Sequence, residues 1–209
     1  MYRLIALLIG YALGHVQTSY ILGKILKGID IREHGSRSAG MTNSLRVMGG
    51  KIAAVVLLVD VLKAFGAFLI AAAIFGGSGS FFSFGGGEMG VLPGIYGAMG
   101  AVLGHMFPVY MKFRGGKSVA CAIGLVLAMH FGLAGMLLGV AALIVAAFRM
   151  ISLASIISSA LLPPLLMLLG FETEAIIVSI FLAALLIFKH KANIGRLIRR
   201  EENKLGQKI

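Results

Sequence analysis

Three polar segments, set into an otherwise apolar chain, hold the residue types that handle phosphate. The first is His34-Gly35-Ser36-Arg37-Ser38-Ala39-Gly40-Met41-Thr42-Asn43-Ser44-Leu45-Arg46. Glycine-freed amides, hydroxyls and guanidinium groups in so short a stretch can together receive an anion. The same residues also read as an ordinary turn leading into a helix capped by Thr42 or Asn43.

The second segment is Gly104-His105-Met106-Phe107-Pro108, followed by Lys112-Phe113-Arg114-Gly115-Gly116-Lys117-Ser118. A Gly-Gly pair bracketed by Arg and Lys before a helix has the physics of a phosphate cradle. Small residues admit the anion to the backbone, the helix start adds its positive end, and Lys adds charge. The G-x-x-x-x-G-K-[ST] spacing is absent, so this is no P-loop. A basic loop that only fixes membrane topology accounts for Arg114 and Lys117 but not for Gly115 and Gly116.

The third segment is split. Ser152 and Ser155 open one apolar stretch, and His190 and Asn193 close another. The last two are three apart and so expected on one helical face, and His190 has the ordinary chemistry of a general base near neutral pH. Elsewhere, Asp60 and Lys63 lie three apart inside an apolar run. They are expected to pair and to face the interior of a helical bundle, because a lone charge in lipid is costly.

These residues must be held by membrane helices. The chain has 209 residues, 59% hydrophobic and 13% charged, with a mean hydropathy of +0.98. A soluble domain is roughly half apolar and a quarter charged. Apolar stretches fall at 4–22, 52–75, 91–111, 119–147, 152–169 and 174–189. The first continues past the usual length of a signal core without a small-residue cleavage pattern, so it reads as a membrane helix. Its Gly10, Gly14, His15, Gln17, Thr18 and Ser19 are expected against other helices rather than lipid.

The 119–147 stretch is either one tilted helix or two short ones turning near His130-Phe131-Gly132. Two helices gather Lys24, Lys27, Arg32, Arg37, Arg46, Lys51, Lys112, Arg114, Lys117, Arg149 and the basic tail on one side. Arg3, Glu88, Glu172 and Glu174 then lie on the other. The positive-inside rule favours that arrangement. The expectation is an all-α polytopic membrane protein, one domain over 1–209, with seven transmembrane helices. Its N terminus is outside and its C terminus cytoplasmic. Residues 76–90 read as a flexible Gly/Ser connector.

The net charge of +11 follows loop ends rather than a nucleic-acid face, so no nucleic-acid partner is expected. One cysteine, Cys121, offers no disulfide, and no dense ligand cluster calls for a metal. No cofactor and no protein partner are called for.

Taken in order, the three segments resemble the three motifs of the bacterial acyl-phosphate glycerol-3-phosphate acyltransferases, the PlsY family. The family pattern G-S-x-N-P-G-A-T-N-x-x-R is met by Gly35 to Arg46. G-H-x-F-P-V-[FY]-x-x-F-[KR]-G-G-K-G-V-A-T is met by Gly104 to Cys121, with Ser118 and Cys121 replacing Gly and Thr. R-x-x-S-L-x-S resembles Arg149 to Ser155, and H-x-x-N-I-x-R-L with E-N-K is met by His190, Asn193, Ile194, Arg196, Leu197 and Glu202-Asn203-Lys204. Ser38-Ala39 and Met41 depart from the family's Asn-Pro and Ala.

The resemblance implies acyl transfer from acyl phosphate to glycerol 3-phosphate at the cytoplasmic face of a bacterial inner membrane. Lysophosphatidic acid and phosphate are the products. It implies catalytic roles for Ser36, Arg46, Lys117, His190 and Asn193. Gly35, Thr42, Asn43, Arg114, Gly115, Gly116 and Ser155 are the expected substrate contacts, with Ser152 the alternative to Ser155. Glu202, Asp60 and Lys63 are expected to be structural. A phosphate transporter and a divergent paralogue with another substrate are the rival readings.

Overall fold

The computed structural model describes residues 1–76 and 91–207, and every regular element among them is helical. The connector expected at 76–90, with Glu88, lies outside the described residues beyond Gly76. The described residues fall into two units, one of 1–76 with 91–129 and one of 130–207.

In the first unit, α1 (Tyr2–Gly14) and α2 (Thr18–Lys27) replace the single helix expected at 4–22. The chain leaves helical geometry at Gln17, where φ is −99° and ψ is 77°. The Gln17 amide explains the break. It donates to the carbonyl of Gly14, which a continuous helix would have engaged, and to those of Gly104 and His105 at the end of α5.

A short α3 (Met41–Met48) and the long α4 (Gly50–Phe75) follow, then α5 (Val91–Met106) and α6 (Val119–Met129). The small residues of α1 face α5 as expected. A Cβ at Gly10 would collide with the carbonyl of Gly97, and one at Gly14 with that of Ala101. Only glycine permits backbones this close. Gln17, Thr18 and Ser19 are buried. Asp60 and Lys63 pair as expected, 2.7 Å apart and buried.

The second unit holds α7 (Phe131–Phe148), α8 (Ile151–Leu168), α9 (Thr173–Lys189) and α10 (Lys191–Ile198). The 119–147 stretch is thus two helices, separated at His130. That residue is extended (φ −164°, ψ 107°), and its side chain accepts the Leu133 N–H at the start of α7. The two helices differ in length. At 1.5 Å per residue, the 11 residues of α6 cover about 16 Å, roughly half a hydrocarbon core.

Among the described residues, four helical segments are long and apolar enough to cross a membrane: 2–27, 50–75, 131–148 and 151–168. The pair α9 and α10, bent by 61°, makes a fifth if counted as one span.

Candidate active site

The first polar segment is shaped by Asn43. Its Oδ1 accepts the Ser36 N–H at 2.8 Å, while Nδ2 donates to the carbonyls of Ile31 and His34 at 3.1 and 3.0 Å. The side chain is 1% exposed. Gly35 (φ +56°) turns the chain there, and a Cβ on it would strike Asn43 Oδ1. Asn43, an expected substrate contact, holds the loop that carries Ser36, which is exposed. Thr42 and Asn43 are also not helix caps. They occupy the first turn of α3, which begins after Gly40. Thr42 and Arg46 are half-buried, Arg46 in the last turn.

The second segment folds back on the end of α5. Gly115 N–H donates to the Met106 carbonyl at 3.3 Å and Gly116 N–H to that of His105 at 3.1 Å. Side chains at these positions would collide, at 115 with the His105 carbonyl and at 116 with His105 Nε2 and the Ala39 carbonyl. The glycine pair is therefore required for close packing. Its amides are engaged by protein carbonyls, unlike the amide cradle expected from the sequence.

Lys117 is half-buried immediately before Ser118, and α6 begins at Val119. Ser118, where the family has glycine, keeps the left-handed backbone (φ +66°) that glycine favours. Its Oγ donates to the Val102 carbonyl at 3.1 Å.

Between these two segments lies an open groove of about 560 Å³, lined by Asp30, Arg32, Glu33, Arg37, Tyr110, Met111, Lys112, Arg114 and Gly115. Four cations against two carboxylates give it a positive balance. Arg32 is committed to architecture. It pairs with Asp30 at 2.7 Å, donates to the Met111 carbonyl at 3.2 Å and stacks over Tyr20 at 5.1 Å. The Arg32 hydrogen bond holds the Asp30 carboxyl below the usual carboxylate range. Arg37, Lys112 and Arg114 are exposed, and Arg37 and Lys112 have left-handed backbones (φ +58° and +54°). Strain of this kind is found where a loop is shaped for a ligand. Of the expected contacts, Arg114 and Gly115 line the groove; Ser36, Arg46 and Lys117 are not among its lining residues.

The third segment, in the second unit, converges on Glu202. Its Oε1 accepts from Asn193 Nδ2 at 2.7 Å and Ser152 Oγ at 2.9 Å, and its Oε2 accepts from Arg196 Nε at 2.9 Å. Arg149 ties the same tail, donating from Nη2 to the Leu205 carbonyl at 2.8 Å and accepting the Leu205 N–H on its own carbonyl. Ser155 Oγ donates to Ile151 of its own helix at 2.8 Å, so Ser152 is the serine that joins Asn193.

His190 and Asn193 do not share one helix. His190 is the corner where α9 ends, and Asn193 sits in the first turn of α10. His190 Nδ1 lies 2.8 Å from the Leu186 carbonyl. A carbonyl only accepts, so Nδ1 carries the proton and Nε2 is the basic nitrogen of the neutral ring. Both residues are buried. Sequence reasoning gave no role to His105 or Asp30 and named Arg196 only as part of the third motif; His105 meets Lys63 42 residues away, a spacing that no short motif encodes.

The family model described as glycerol-3-phosphate acyltransferase matches residues 4–200. A glycerol-3-phosphate acyltransferase of Thermoanaerobacter pseudethanolicus is 39% identical over 100% of this chain and 98% of its own. One of Shouchella clausii is 41% identical over 96% and 95%. Two crystal structures of PlsY (YgiH), an integral membrane glycerol 3-phosphate acyltransferase, are similar along the whole chain. The glycerol 3-phosphate form gives a TM-score of 0.85 at 33% identity, covering 99% of this chain and 96% of that one. The lysophosphatidic acid form gives 0.83 at 32%.

Proposed function

We infer the reaction from one premise: this chain belongs to the glycerol-3-phosphate acyltransferase family. It is a membrane acyltransferase that acylates glycerol 3-phosphate to lysophosphatidic acid, a step of phospholipid synthesis. Membership favours the enzyme over the phosphate transporter.

We propose acyl phosphate as the donor, in line with the resemblance of all three motifs to the acyl-phosphate-dependent family. An acyl phosphate is a mixed anhydride with a good leaving group, so no covalent enzyme intermediate is required. A glycerol hydroxyl oxygen attacks the acyl carbonyl carbon, the new ester C–O bond forms, and the bond to the phosphate oxygen breaks. Phosphate departs with the electron pair, and the hydroxyl proton passes to His190 or to a substrate phosphate.

The protein must then hold two mutually repelling phosphates and stabilise charge on the carbonyl oxygen. We assign Ser36, Arg46, Lys117 and Arg114 to phosphate binding, with Thr42 beside them. Gly35, Asn43, Gly115 and Gly116 shape the loops that bear these groups. His190 and Asn193 are assigned to the glycerol hydroxyls, with Ser155 as a further contact. The observation that carries this reading is the groove between the first two segments, lined by the exposed cations Arg37, Lys112 and Arg114; the same two segments bear Ser36, Arg46 and Lys117.

We further propose one domain over residues 1–209 in a bacterial inner membrane, with seven crossings, the N terminus outside, and the C terminus and site cytoplasmic. The charge bias of the loops supports this orientation. A helix as short as α6 crosses by thinning the bilayer or leaving its ends in the headgroups. No protein partner is required.

Purified protein supplied with radiolabelled glycerol 3-phosphate and, in turn, acyl phosphate, acyl-coenzyme A and the acylated form of acyl carrier protein tests the donor. Product is expected with acyl phosphate alone. Product from either thioester would overturn the assignment.

A further inference from the structure

Away from the cationic groove, three titratable side chains are buried together within the first unit. Lys63 Nζ lies 2.7 Å from Asp60 Oδ1, 2.8 Å from His105 Nδ1 and 2.7 Å from the Val16 carbonyl. The side chains of Lys63, Asp60 and His105 are 6%, 2% and 3% exposed. Asp60, His105 and Cys121 also bring potential ligand atoms within 4.8 Å of one another. The Lys63 ammonium already contacts the carboxylate and the imidazole, supplying there the positive charge that a metal would bring.

An ammonium only donates, so His105 Nδ1 accepts from it and the neutral ring carries its proton on Nε2. A doubly protonated ring would also carry hydrogen on Nε2. That nitrogen points away from Lys63, toward the two polar loops. A side chain at Gly116 would collide with both His105 Nε2 and the Ala39 carbonyl, so ring and carbonyl flank the same narrow space. The His105 carbonyl meanwhile accepts from Gly116 N–H at 3.1 Å and Gln17 Nε2 at 3.1 Å.

We propose that His105 is a positioning residue that sets the first polar segment against the second. The Asp60–Lys63 pair orients its ring, and Nε2–H is presented to the Ala39 carbonyl across Gly116. The inference rests on the reading that both segments serve acyl transfer. It also accounts for a buried ion pair that stability alone does not demand, since apolar replacements of such pairs are often neutral or better. The pair fixes a geometry that apolar packing would leave loose.

The test compares two amides at one position. Glutamine places its nitrogen near Nε2, whereas asparagine reaches only as far as Nδ1. His105→Gln is expected to keep kcat within about threefold, and His105→Asn to lose about 10- to 100-fold in kcat, the range typical of orienting partners. The KM for glycerol 3-phosphate should be little changed in either. Equal loss in both variants, or no loss in His105→Asn, overturns the proposal.

Nitrogen-15 spectroscopy of histidine-labelled wild-type protein in bilayers gives a readout that needs no variant to fold. A protonated His105 Nε2 is expected, and an unprotonated one overturns the inference. Turnover by the wild type tests the underlying reading separately, because the spectrum does not depend on it.

Discussion

Asn43 Oδ1 accepts the backbone N–H of Ser36 at 2.8 Å, across seven residues of chain. The exposed serine is thus held by a buried amide whose other end bonds two carbonyls. The loop owes its shape to this side chain together with the turn at Gly35.

Asn43→Asp should therefore be severe although it is nearly isosteric. It replaces the donating nitrogen with an oxygen facing the Ile31 and His34 carbonyls. Leaving buried groups unpaired costs roughly 1–3 kcal/mol, and more with charge. Thermal unfolding in detergent should show a lowered Tm, and glycerol 3-phosphate turnover should fall at least tenfold. Wild-type values for both would refute the role.

Ser118→Gly should be tolerated. The left-handed backbone at Ser118 costs a non-glycine residue about 1–2 kcal/mol. The lost bond to Val102 is worth about 1 kcal/mol, so the two nearly cancel. Ser118→Val keeps the strain, adds β-branching and loses the bond. A Tm for the valine variant at or above that of the glycine variant would contradict this account.

Glu202→Ala should lower both stability and kcat more than Ser152→Ala does, because it takes the acceptor from three donors, whereas Ser152→Ala takes one of two donors from Glu202 Oε1. Arg196 is partly solvated, so the expected stability loss is only about 2–3 kcal/mol. Chemical denaturation of both variants gives the order directly, and the reverse order would count against a central role for Glu202.

The Asp30 carboxyl sits below its ordinary range because of Arg32. A depressed folded-state value contributes stability above the unfolded value, near 4, and loses it as pH falls through the folded value. The stability difference between wild type and Asp30→Asn should thus be flat from about pH 5.5 to 8 and shrink only in acid. A difference that varies across the neutral range would show that another group titrates with it.

Much of the fold is legible in the chain because lipid demands long apolar runs. The split at His130 is foreshadowed by the distribution of Arg and Lys, and the Asp60–Lys63 pair by spacing and the cost of a lone charge. The break at Gln17 is not, since it depends on the carbonyls of Gly104 and His105, about ninety residues away. The glycine pair at 115 and 116 looks like an anion cradle because local sequence cannot show that the end of α5 engages those amides. The corner at His190 is likewise hidden, because the apolar pattern simply stops there and bend and continuation read alike.

The most direct measurement is phosphate release by purified protein given acyl phosphate, with and without glycerol 3-phosphate, alongside Lys117→Ala. Release should require glycerol 3-phosphate and match lysophosphatidic acid mole for mole, and Lys117→Ala should lose most of it while remaining folded. Release that ignores glycerol 3-phosphate, or undiminished turnover in Lys117→Ala, would contradict the account.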